Sequence, residues 1–188
     1  MADGFCERLG PSLLIISIAS VCYMIGIATP YLIKIESLTF ISNSGLWKRC
    51  SSSTYGKICY NTSTYAENDW FRICQVMCIF GLVAILTSTA CIALRLLKLR
   101  EHKILQIATI VGVFSAVVFI LIGVVLYVRN VDDITSGLDF YYGYSLAFFI
   151  GGMCLAAVVE IVLIYDLIKT KNDIRNRVKD TANKNMSF

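Results

Sequence analysis

Charge, proline and histidine are all scarce in this sequence: 16% of its 188 residues are charged, two are proline and one is histidine. Soluble domains carry about a quarter charged residues, so a chain this poor in charge and 57% hydrophobic is too apolar for water. The same composition excludes disorder, collagen and coiled coil. The histidine, His102, lies between Glu101 and Lys103 and reads as a solvated loop residue. No nucleophile sits beside a base, and no HExxH, glycine-rich phosphate loop or cofactor motif occurs. Neither enzymatic turnover nor a cofactor or metal is therefore expected.

What remains is long apolar runs. Residues 13–33, 71–97, 104–128 and 144–167 each exceed the roughly 20 residues that cross about 30 Å of hydrocarbon. Together they leave no room for a soluble catalytic domain of ordinary size. The first run is too long, and too lacking in a small-residue cleavage site, for a removed signal peptide. The chain reads as a single tetraspan domain over 1–188, with the lipid bilayer as its first partner.

Lys and Arg beside the spans divide 11 to 6 in favour of the side holding both termini and the 95–103 loop. The positive-inside rule then puts both termini, and the tail 168–188, in the cytosol. Loops 34–70 and 129–142 fall outside, as expected of a multi-pass plasma-membrane protein. Asn61-Thr62-Ser63 is a glycosylation acceptor in the long outer loop, whereas Asn185-Met186-Ser187 falls on the cytosolic side. The net charge of +4 is not a nucleic-acid signal, because the basic residues stand at membrane edges, where anionic lipid attracts them.

The outer loop alternates enough for a small antiparallel sheet. Residues 34–41 form a first strand with Ile35, Leu38 and Phe40 as apolar positions, although the phase is imperfect. Asn43-Ser44-Gly45 is a turn, 46–50 a second strand, 51–56 a loop and 57–60 a third strand. Of the eight cysteines, Cys22, Cys74, Cys78, Cys91 and Cys154 lie in spans and Cys6 is cytosolic. Cys50 and Cys59 alone share the oxidising side and are expected to pair.

The stretch Gly45-Leu46-Trp47-Lys48-Arg49-Cys50, followed by Cys59, resembles the Gly-Leu-Trp…Cys…Cys signature of the claudin superfamily. That group holds claudins, peripheral myelin and epithelial membrane proteins, and the γ subunits of calcium channels with their AMPA-receptor relatives. Arg72 stands where claudins place an arginine, and 139–145, with Tyr142 and Tyr144, is similar to the aromatic entry to the fourth span in the myelin and γ-subunit branches. The resemblance implies a left-handed four-helix membrane bundle capped outside by a small disulfide-closed antiparallel sheet, to which the short second loop adds. It also implies a protein that acts by association. One reading is a claudin-like junction or adhesion protein at cell–cell contacts. There Lys48, Arg49 and Lys57, against Glu36, Glu67, Asp132 and Asp133, set charge preference. The other is an auxiliary subunit of a channel or receptor, contacting its partner near Tyr142, Tyr144 and Glu160.

Glu160 is the acidic residue well inside a span, expected to face the bundle or snorkel, with no other buried charge. It reads either as a protonated or hydrogen-bonded carboxyl facing a Ser or Thr of a neighbouring span, or as a contact to a partner helix or an ion path. Gly81, Ala84 and Ser88, then Gly112, Ala116 and Gly123, then Gly151, Gly152, Ala156 and Ala157 allow close helix approach. Cys74 and Cys78 read as apolar packing residues. Cys6 and Cys91 near the inner interface are palmitoylation candidates, and the end Met186-Ser187-Phe188 has the form of a PDZ ligand.

Overall fold

A computed structural model describes residues 3–37, 40–53, 56–62, 69–97, 103–135 and 138–186. Lipid offers the backbone no hydrogen bonds, so each apolar run satisfies its own as a helix. Among the described residues, four helices have the length and composition to cross a membrane. They are α1 (Asp3–Ala28), α2 (Asp69–Leu97), α3 (Lys103–Arg129) and, after a short α4 (Val131–Thr135), α5 (Tyr144–Met186). α2 packs on α3 and α1 on α5, while α1–α2 and α3–α5 contacts close the ring. Apolar side chains cover its outside, including Leu14, Phe114 and Ile161.

The α1–α5 seam is tight. A Cβ on Gly26 would stand 2.8 Å from the Phe149 nitrogen, and one on Gly152 2.9 Å from the Ala19 oxygen. Small residues there let the two backbones approach, since packing rather than hydrophobicity holds helices together in lipid. Tyr23 crosses from α1 to α2, its hydroxyl donating to the Cys78 carbonyl at 2.9 Å. Cys74 donates to the Gly123 carbonyl at 3.2 Å, tying α2 to α3.

Two span boundaries differ from the sequence reading. α1 ends at Ala28, five residues before 33, because Pro30 disfavours helix at the residue before it. The Thr29 hydroxyl still caps back onto the Ile25 carbonyl at 2.7 Å and meets the Ser145 hydroxyl at 2.6 Å. At the other end α5 runs 43 residues, well past its apolar part. The basic tail therefore continues as helix, about 25 Å beyond Lys169 at 1.5 Å per residue.

One five-stranded antiparallel sheet joins the loops, in the order β4-β3-β2-β1-β5. Its strands are β1 (Ile33–Glu36), β2 (Phe40–Ser44), β3 (Lys48–Ser53), β4 (Gly56–Asn61) and β5 (Phe140–Tyr142). The second loop adds β5 beside β1, as expected from the resemblance. The single strand read over 34–41 is in fact two. The chain turns after Glu36, with the Ser37 N–H donating to the Phe40 carbonyl at 3.0 Å, at the place where the alternation lost phase. Asn43 and Ser44 pair with β3 instead of turning, and the turn falls at 45–47, closed by Gly45 N–H to the Lys48 carbonyl at 2.9 Å. β3 reaches Ser53 and β4 begins at Gly56, so the 51–56 loop is mostly strand.

Candidate functional site

The Gly-Leu-Trp motif is the hinge between sheet and bundle. A Cβ on Gly45 would lie 2.6 Å from both the Pro30 Cα and the Thr29 oxygen, so only glycine lets this turn rest on the exit of α1. Leu46 is buried in the junction core, and its carbonyl accepts from Gln75 Nε2 of α2 at 2.8 Å. Trp47 is half-buried against the same core, which also holds Ile33, Ile35, Phe71 and Phe149. The Trp47 carbonyl accepts from the Thr62 N–H at 2.9 Å and so fixes the end of β4. Each residue of the motif thus anchors the sheet through a different contact.

Cys50 and Cys59 face each other across β3 and β4 and are disulfide-bonded, with their Cα atoms 4.0 Å apart. In the chain-entropy model, closing a ten-residue loop stabilises by about 2.7 kcal/mol. That matters for strands whose outermost member, β4, is exposed along its whole length.

Pairing divides the sheet into two faces. Ile33, Ser44, Arg49 and Tyr60 lie across from one another on one face, as do Ile35, Ser42, Ser51 and Ile58. The first half of this face rests on the bundle: Ile33, Ile35 and Ser44 are fully buried. The second half overhangs it. There Phe40, Ser42, Arg49, Ser51, Ile58 and Tyr60 line an open cleft of about 350 Å³. Arg49 donates from Nε to the Ser42 hydroxyl at 3.1 Å, which holds the guanidinium in place. The opposite face carries the disulfide, Lys48, Lys57 and Asn61.

The other sequence-derived positions do not form one site. Tyr142 is exposed on β5, opposite Ile33, and Tyr144 stacks on Tyr31 with ring centroids 5.0 Å apart. Glu160 lies roughly 24 Å further along α5, so it shares no surface with them. Arg72 is exposed on α2, and Cys91 is half-buried. Asn61 is exposed as the last residue of β4, while the Ser63 of its acceptor motif lies outside the described residues. Also outside them are Glu67, His102, Ser187 and Phe188 and, within α1, the Cys6 side chain.

Two expectations about buried charge are corrected. Glu160 is only 8% exposed, yet among the described residues its Oε2 meets no hydroxyl of a neighbouring helix. It is also not the sole buried charge: Arg95 on α2 and Asp166 on α5 are 3% and 9% exposed at the sheet-distal end. Arg95 read as a loop-flanking cation because it stands near the end of its apolar run. A signal was nonetheless present, since ionisable residues within spans almost always face the bundle interior.

Four apolar helices carrying a disulfide-closed sheet define a tetraspan membrane protein. A family model of the PMP-22/EMP/MP20/Claudin family matches residues 9–165, and the chain belongs to that family. No significant match was found among curated proteins.

Proposed function

We propose that this protein is a claudin-like junction or adhesion protein, acting by association with copies of itself in its own membrane and across cell contacts. The observation that carries the reading is the overhanging half of the sheet. A disulfide holds two strands beyond the bundle, where their broad face is open to a partner. Family membership supports a membrane protein working without catalysis. The lysine and arginine distribution supports cytosolic termini with the sheet outside, at the plasma membrane. Asn61 is then a glycan acceptor, and an endoglycosidase lowers the apparent mass.

Expression alone in non-adherent cells tests the reading. The protein should gather at cell contacts and raise adhesion. Even spread over the surface, with adhesion unchanged, would contradict it.

The exposed aromatic group of Tyr141, Tyr142 and Tyr144 favours one second reading, an auxiliary subunit docking a channel or receptor through the entry to α5. In that case surface delivery depends on co-expression of the partner, and gentle-detergent pull-down with mass spectrometry names it.

A further inference from the structure

The cleft beneath the overhang carries a charge pattern that identifies an occupant. Residues 40–62 contain Lys48, Arg49 and Lys57 and no acid, whereas 130–142 contain Asp132, Asp133 and Asp139 and no base. The two segments end at opposite edges of one sheet, β4 at one side and β5 at the other. Within α4, Val131 and Thr135 point inward and are buried, which leaves Asp132 and Asp133 exposed side by side. Exposed Leu138, Tyr141 and Tyr142 follow, an apolar companion to that acidic turn.

The cleft is its complement. Arg49 and three serines (Ser42, Ser51 and Ser53) supply a cation and hydroxyls, and Phe40, Ile58 and Tyr60 supply apolar wall. Among the described residues Arg49 has no acidic partner; Ser42 takes its Nε donor. A guanidinium has four further N–H donors, arranged to fit a carboxylate.

We infer that the Arg49 cleft receives the Asp132–Asp133 turn of a second copy of this chain. Donor and acceptor patches differ and sit at opposite sheet edges, so the contact is heterologous. It repeats from copy to copy as a row or ring instead of closing as a two-fold pair. Charge complementarity sets register and direction, and the contact weakens as salt rises. This inference rests on the self-association reading above and names its interface.

The test uses full-length chains labelled with donor or acceptor dyes in phosphatidylcholine vesicles, with energy transfer as readout. Arg49→Glu copies should associate roughly ten-fold more weakly than wild type, at the low end for a close interfacial charge pair. Copies carrying Asp132→Lys and Asp133→Lys together should do the same. Mixing the two populations should restore transfer, because each cleft then meets a turn of opposite sign. Ser51→Asp, which places a carboxylate in the cleft while leaving the Arg49–Ser42 bond intact, serves as a second cleft variant and should also weaken association. Wild-type transfer that neither cleft variant changes, or a mixture no better than either population alone, overturns the interface and leaves self-association standing. Wild-type chains showing no transfer overturn both.

Discussion

Tyr127 is 3% exposed, and its hydroxyl makes no hydrogen bond among the described residues. It borders a small apolar cavity between sheet and bundle, shared with Leu46, Cys74 and Phe149. A buried hydroxyl without a partner keeps its desolvation cost and returns nothing. Tyr127→Phe should therefore leave the melting temperature unchanged or raise it, as thermal unfolding in detergent will show. Cys50 is the opposite case, because its sulfur bond holds strands with little core beneath them. Cys50→Ser should lose about 2.7 kcal/mol of loop-closure stabilisation. Its surface level should fall, and its non-reducing gel mobility should match that of reduced wild type. Both residues belong to segments whose type was readable beforehand. The cysteine pairing was legible because compartment leaves two candidates, whereas the state of the Tyr127 hydroxyl depends on three-dimensional neighbours that no spacing reveals.

Among the elements, helices α1 and α5 depend on their glycine seam. Gly152→Leu pushes a side chain toward the Ala19 carbonyl and the Tyr23 nitrogen, 2.9 and 3.1 Å from where its Cβ would stand. Overpacking of this kind costs about 1–3 kcal/mol, so the variant should melt earlier and be retained inside the cell. Arg95 and Asp166 are buried near the far ends of their spans on α2 and α5. The spans were legible in the sequence because lipid forces each long apolar run into a helix. Their rotation was not. Helices apolar all round give no face to read, so the inward aim of Arg95 and Asp166 stayed hidden. Strand boundaries slipped for a different reason: with a period of two, the Ser37 break and the 45–47 turn each rest on one or two residues.

For the whole molecule, the bundle is a pedestal and the sheet its working surface. Gly45, Leu46 and Trp47 fix the sheet to the helix ends, and the disulfide keeps β3 and β4 extended past the bundle's edge. The overhanging face presents Phe40, Ile58 and Tyr60 beside Arg49 and three serines, a mixed surface open to a partner. On the proposed reading, association is what that face serves. Counting fluorescent copies per spot in single-molecule images of otherwise non-adherent cells tests this most directly. The account predicts multi-copy clusters concentrated where two expressing cells touch. Single-copy spots scattered evenly over the surface, at matched expression, would contradict it.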